Sequence, residues 1–197
     1  MIAHLHESCD WLIIQLKYII NSLEQMIKNP KSLTNSLPIG ELNKLTKLVD
    51  DLDKWRGDTL LLIFLETRVH CFYHLITFIK QENNTSYSGD LDTDPDECVL
   101  NMNRDLHRIY ESLVRSLQEQ KVNYVFDALG YMIATIFIRA VKNFKKISKH
   151  GIAKMCRNIF NVEQNLSAIR TKSDPHLMKA HRFYELLYKK VKFQIFF

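Results

Sequence analysis

The stretch from Val122 to Ile169 constrains the fold more than any other part of the chain. Its first half places Val125, Phe126, Leu129, Met132, Ile133, Ile136, Ala140 and Phe144 at steps of three and four. That is the periodicity of a helix with a wide apolar face. Its second half sets Ile152, Met155, Ile159, Val162, Leu166 and Ile169 in alternating threes and fours, a narrower seam suited to packing against other helices. Between them lies Ser148-Lys149-His150-Gly151, a polar turn in which Gly151 can take the left-handed conformation that ends a helix. The expectation is a helical hairpin within a helical protein.

The flanking chain continues the pattern. A first helix is expected from Ile2 to Lys28, with Leu5, Leu12, Leu16, Ile19, Leu23 and Ile27 at helical spacing, followed by a turn over Asn29 to Pro38. A second runs from Ile39 to Gln81 with a bend near Gly57. Leu42, Leu45, Leu48, Val49 and Leu52 line its first half. Leu60 to Leu65, Val69, Phe72, Tyr73, Ile76 and Ile79 make its second half apolar on most faces, which predicts a central core position. Residues 82–94 read as an acidic, flexible loop. Asp94 as N-cap, Pro95 at the first helical position and Glu97 in capping-box spacing open a further helix that ends near Glu119. A last helix starts at Pro175 after a turn over Thr171 to Asp174, with Leu177, Ala180, Tyr184, Leu187 and Val191 on one face. Only 5 Gly and 4 Pro interrupt the 197 residues, and alternating strand patterns are absent, so the fold class is all-α. Antiparallel helices joined by such short loops suit a helical rod. The organisation read from this pattern is a helical bundle portion over 1–81, the loop 82–94, a second bundle over 95–188 and an atypical tail over 189–197.

Charge is divided unevenly. Residues 1–100 hold 9 Lys and Arg against 15 Asp and Glu, a net of −6, whereas residues 101–197 hold 18 against 7, a net of +11. The four cysteines, Cys9, Cys71, Cys98 and Cys156, are far apart and fall in helical patterns, which predicts buried apolar thiols in a reducing compartment rather than a disulfide framework or zinc site. Glu7 and Asp10 stand where a secretory leader needs cations. The longest charge-free runs, Val69 to Ile79 and Ala128 to Ile138, span 11 residues, against about 20 for a membrane-spanning helix. No segment is therefore expected to cross a bilayer.

Candidate chemistry is sparse. Alternate carboxylates from Asp90 to Asp96 resemble a calcium loop, but Pro95 and Asn101 stand where that loop needs Gly and Glu. His70 and His74 share a helix face without the intervening Glu of a metalloprotease helix, and are expected to be packed and hydrogen-bonded. Asn83, Asn84 and Asn165 begin glycosylation sequons that are expected to go unused. No nucleophile–base pair, phosphate-cradling glycine loop or nucleic-acid motif is readable. Neither catalysis nor a cofactor is expected, nor nucleic-acid binding.

The most suggestive feature is cationic. No acidic residue occurs between Asp127 and Glu163, and within that interval stand Arg139, Lys142, Lys145, Lys146, Lys149, Lys154 and Arg157. Arg139, Lys142, Lys146 and Lys149 would share one helix face, a candidate contact for an acidic partner subunit, a small GTPase or anionic lipid headgroups at about 1 kcal/mol per well-placed cation.

Longer blocks carry a resemblance. YVFDALGYMIATIFI (Tyr124 to Ile138) and GIAKMCRNIFNVEQNL (Gly151 to Leu166) resemble the C-terminal helical region of the exocyst complex component 4 family. Shorter stretches support this: His4 to Leu12, Glu66 to Leu75 and Arg182 to Tyr188. The resemblance runs from His4 to Tyr188, and the tail from Lys190 to Phe197 departs from it. It implies an elongated rod of stacked antiparallel helical bundles without catalytic residues. It also implies a scaffold that contacts other exocyst subunits and helps tether post-Golgi secretory vesicles to the plasma membrane, cytoplasmic and peripheral at sites of exocytosis. The runner-up reading is a peripheral module that binds anionic lipid through the basic hairpin. In the tail, Ile195-Phe196-Phe197 has the apolar character of a ligand for a PDZ-type groove.

Overall fold

Helix α2 (Ile39–Lys80) is long enough to serve two cores, and the rest of the fold is arranged along it. A computed structural model describes residues 2–28, 39–80, 86–87, 94–144 and 146–193. Among these the chain is all-α: α1 (Ile2–Lys28), α2, α3 (Glu97–Val114), α4 (Glu119–Phe126), α5 (Leu129–Ala140), α6 (Lys149–Arg170) and α7 (Pro175–Phe193). A 3₁₀ turn at Val141–Asn143 follows α5. Ser86–Tyr87 and Lys146–Ile147 form a two-residue parallel pairing, β1 with β2. The remainder of the expected 82–94 loop lies outside the described residues, apart from Asp94.

The main core is built on α6. Ile152, Met155, Ile159 and Val162 are fully buried, against Leu129, Ile133 and Phe137 of α5, Val99, Met102 and Leu106 of α3, Leu177, Ala180 and Tyr184 of α7, and Cys71, Leu75 and Phe78 of α2. Full burial of each such side chain is worth about 1.5–3 kcal/mol. Polar ties fix the layers. The Tyr184 hydroxyl donates to the Phe137 carbonyl at 2.6 Å, joining α7 to α5. Asn158, completely buried, accepts from the Asp96 backbone N–H at 2.8 Å and donates to the Asp96 carboxylate at 2.7 Å, joining α6 to the start of α3. The Tyr87 hydroxyl also donates to Asp96, and Lys154 pairs with it at 3.0 Å. Three asparagines continue this seam: Asn103 donates to Asn161 at 2.7 Å, and Asn165 donates to Asn103 at 3.3 Å.

A smaller core, Ile13, Ile20 and Val49 with Leu16, Leu42, Leu45 and Leu52, joins α1 to the first half of α2 in antiparallel fashion. An ion cluster connects this hairpin to α4. Lys121 reaches Glu7 at 2.7 Å and Asp10 at 2.8 Å, and Arg56 reaches Asp10 at 2.7 Å. Beside it, buried His6 contacts the Arg56 carbonyl through Nδ1 at 3.0 Å, so Nδ1 carries the proton, while Nε2 is buried without a partner.

Several expectations change. The expected single helix through Val122 to Phe144 is broken at Asp127–Ala128, where Ala128 adopts a left-handed φ of 54°. A long-range contact accommodates the break. Arg68 of α2, stacked 3.2 Å from the Phe64 ring centre, donates to the carbonyls of Val125 (3.0 Å) and Asp127, and so satisfies the freed end of α4. Gly151 does not end a helix. Ser148 caps α6 by accepting from the Gly151 N–H at 2.9 Å, and a Cβ at Gly151 would overlap the Tyr87 carbonyl. Asp96, not Asp94, precedes the first helical residue of α3, and α3 ends at Val114 rather than near Glu119. Helix α2 is continuous through Gly57. Its second half is not enclosed: Leu61, Leu62, Leu65, Val69, Phe72 and Tyr73 are exposed because α3–α7 cover only one side. In α1 the buried face is Ala3, His6, Cys9, Ile13 and Ile20, rotated from the expected stripe, of which Leu5, Leu12, Ile19 and Ile27 are exposed.

Two predictions follow from these packings. A methyl at Gly130 would overlap the Asp174 carboxylate, which caps α7 by accepting from the His176 and Leu177 N–H groups at 2.9 and 3.3 Å. Gly130→Ala is expected to cost about 1–3 kcal/mol in urea unfolding; an unchanged midpoint would contradict the packing. The second concerns pH. Burial, then the nearby Lys121 charge, lowers the His6 pKa below its ordinary 6.5, with Glu7 and Asp10 opposing. The unfolded chain therefore binds a proton first as pH falls below about 6.5, and stability drops with acidification in that range. Asp10, held below its ordinary 3.8 by hydrogen bonds from Lys121 and Arg56, acts in the same direction only at lower pH. The melting temperature is expected to fall from pH 7.5 to 5.5, with a shallower fall in His6→Gln. Equal slopes would exclude His6 as the source.

Candidate interaction surface

Two helices and a turn build a groove that carries part of the basic run. Phe72 of α2 faces Tyr131, Met132, Thr135 and Ile136 of α5, and Arg139, Lys142 and Asn143 line the same groove. Its volume is about 860 Å³. The floor is apolar because α5 presents one apolar stripe to α7 and α6 while a second, with Tyr131 56% exposed, is left open beside Phe72. Asn143 donates to the Phe78 carbonyl at 3.2 Å, which fixes the 3₁₀ turn against α2. Thr135 donates to the Tyr131 carbonyl at 2.8 Å, so its hydroxyl is satisfied within the helix.

The four sequence-selected cations do not share a helix face. Arg139 stands in the last turn of α5, where a cation suits the helix dipole, and Lys142 in the 3₁₀ turn; both are exposed and line the groove. Lys146 lies on β2, exposed, and Lys149 opens α6, half-buried. The helix the four would have shared ends at Ala140, and extended Phe144 and the β1–β2 pairing turn the chain before α6. None of the four forms an ion pair with another described residue, unlike Lys154, which is taken up by Asp96. The groove itself was not legible: Phe72 reads as core, and only its exposure identifies it as lining.

Burial pushes the Cys71 thiol up to about 12 and the Cys156 thiol up to about 11, and raises Cys98 as well, so none is poised as a thiolate nucleophile. All four cysteines are free. His74 bonds Asp105 at 2.8 Å, as expected of a packed histidine, whereas His70 is exposed rather than packed. No group of three metal-ligating side chains occurs among the described residues. Of the sequons, Asn165 is engaged with Asn103, and Asn83 and Asn84 lie outside the described residues, as do Asp90 and Asp92 of the acidic loop. Two stretches, Gly40–Phe78 and Glu119–Asn143, are long and apolar enough by length and composition to cross a membrane, which counting charge-free runs did not register. Half of the apolar window in the second is buried in the core, and that stretch is broken at Ala128.

No family model matches the sequence. Curated proteins do. The chain is 35% identical to human exocyst complex component 4 over 194 residues, covering 95% of this chain and 20% of that protein. It is 30% identical to exocyst complex component 4 of Caenorhabditis elegans over 197 residues, covering 95% and 22%. It is 25% identical to exocyst complex component SEC8 of Arabidopsis thaliana over 161 residues, covering 78% and 15%. The chain thus spans about a fifth of the length of the animal relatives it matches. With curated relatives 30–35% identical to it along 95% of its length, the chain belongs, over the residues matched, to the exocyst complex component 4 family.

Proposed function

We propose that the chain is a scaffold portion of an exocyst subunit, one of the helical elements through which the complex tethers post-Golgi secretory vesicles to the plasma membrane before fusion. The observation that carries this reading is the alignment of nearly the whole chain with exocyst complex component 4. The architecture supports it. Long helices, two apolar cores along α2 and cross-helix polar ties give a body whose outer faces are available for contacts, and its bundles would extend as an elongated rod. The partners are other exocyst subunits, with a small GTPase or anionic headgroups as further contacts. The chain would work in the cytoplasm, peripheral at sites of exocytosis rather than spanning the bilayer. Arg68, Lys121 and the His74–Asp105 pair, which tie α2 and α4 to the remainder of the fold, support a water-facing body over a spanning one.

Within this reading, the groove end marked by Arg139 and Lys142 is a contact for an acidic partner surface. Direct lipid binding by all four cations is less well supported, since Lys146 and Lys149 stand on other elements. Capture from cytosol with the tagged chain is expected to recover other exocyst subunits. Arg139→Glu with Lys142→Glu is expected to weaken that capture about tenfold, equivalent to 1.4 kcal/mol, without changing the melting temperature. Recovery of no exocyst subunit by a chain of native helicity would contradict the scaffold reading. Loss of binding to anionic liposomes, with capture intact, would transfer the cations to the lipid reading.

A further inference from the structure

The turn between α6 and α7 presents a hydroxyl in a setting unlike that of the helical ones. Ser8, Ser22, Thr46 and Thr135 each donate to the carbonyl four residues earlier, so their hydroxyls are taken up along their own helices. Ser173 stands in the turn itself, exposed together with Thr171 and Lys172. Its Oγ donates at 3.0 Å to a carboxylate oxygen of Glu163, which α6 brings to the turn from ten residues earlier. Thr171 leaves α6 with a left-handed φ of 52°, a strained conformation for a β-branched residue, so opening the turn releases strain. Arg170, the last residue of α6, is shared between two carboxylates: Asp127 at 3.4 Å and Asp174 at 3.6 Å. Both distances are long for a guanidinium–carboxylate pair, whose bonds usually measure about 2.7–2.9 Å. Arg170 and Lys172 also line a cavity of about 360 Å³ with Gln120, Asn123, Tyr124 and Asp127.

Two cations precede the hydroxyl, Arg170 three residues before it and Lys172 one before it. That arrangement suits the acidic substrate groove of a protein kinase that selects basic residues ahead of its target, by charge complementarity. We propose that Ser173 is a phosphorylation site for such a kinase, and that the phosphate it acquires draws Arg170 off Asp127. In the transfer, Ser173 Oγ attacks the γ-phosphorus of ATP. The Oγ–P bond forms, the bond from that phosphorus to the β,γ-bridging oxygen breaks, the hydroxyl proton passes to the kinase's base and ADP leaves. The product has no hydrogen to give Glu163. In its place stands a group of about −1.5 to −2 charge with three acceptor oxygens, which repels Glu163 and outcompetes a single exposed carboxylate for Arg170. Asp127, whose side chain is 69% exposed, is the partner most easily given up, whereas Asp174 is buried as the cap of α7. The modification thus loosens a tie between the end of α6 and the α4–α5 break, and adds negative charge to the cationic half of the chain. This inference rests on the turn and not on the tethering role.

The test incubates the folded 197-residue chain with ATP and the catalytic subunit of a kinase that requires arginine three residues before its target, and locates phosphate by peptide mass spectrometry. Phosphate is expected on Ser173, and Ser173→Ala, an exposed change that leaves helicity intact, is expected to lose it. No incorporation into the folded chain, or incorporation only at other residues, would overturn the assignment. The second readout is the phosphorus resonance of the phosphorylated chain titrated between pH 4 and 8. Phosphoserine takes its second proton at about pH 6. A cation beside it favours the dianion, so the midpoint is expected to lie lower in the folded chain than in the same chain unfolded in urea, with Glu163 and Asp174 opposing and Lys172 assisting. Asp127→Asn, which removes the competing carboxylate, is expected to lower the folded midpoint further. A folded midpoint equal to or above the unfolded one, or no response to Asp127→Asn, would overturn the capture of Arg170.

Discussion

Asn158 is the buried polar group on which the register of the C-terminal layers depends. Its side chain is wholly enclosed, and a side-chain amide there is tolerable only if its oxygen and nitrogen are both satisfied. Asp96 does both, with its backbone N–H and its carboxylate, and by doing so holds the start of α3 at one height on α6. Tyr87 and Lys154 complete the shell around the same carboxylate. Apolar packing of Ile152, Met155, Ile159 and Val162 supplies the larger free energy but is indifferent to small slips along the helix. The asparagine contact is not. Asn103, Asn161 and Asn165 repeat the arrangement further along, so α3 and α6 are pinned at two places by short-range, geometry-dependent bonds.

The same division between apolar packing and polar ties explains how the α1–α2 hairpin is attached. Its own core is small; Ala3 and Ile63 carry it into the main core, and Lys121 with Glu7 and Asp10, side chains about one-sixth to one-quarter exposed, fixes it to α4. Partly buried pairs of this kind mainly fix position, because the cost of removing charges from water cancels much of their attraction. The chain thus has a dense C-terminal core and a hairpin that keeps much of its apolar surface outside.

The helices themselves were largely legible because periodicity reports them directly. Ile152 to Ile169 reads as one seam and is one helix, and Pro175 opens α7 with Asp174 as its cap. What could not be read depends on distant residues. Nothing local to Asp127–Ala128 announces a break, and the group that takes up its carbonyls, Arg68, is distant in sequence. Gly151 looks like a helix stop until Tyr87 is seen against it. The four cations stand near one another in the chain, but a common face for them needs a helix that ends instead at Ala140. For α1 and α2 the apolar rows were visible, but periodicity identifies a row without saying whether a neighbour covers it.

Stability is expected to be concentrated in α5, α6 and their partners around Asn158, with most of α1 and the start of α2 resting on a smaller core. Native-state hydrogen exchange on the 197-residue chain tests this most directly. The slowest exchange is expected in α5, α6 and the end of α2 around Cys71 to Phe78, and faster exchange in α1 and the start of α2. Uniform protection throughout, or slowest exchange in α1, would contradict it.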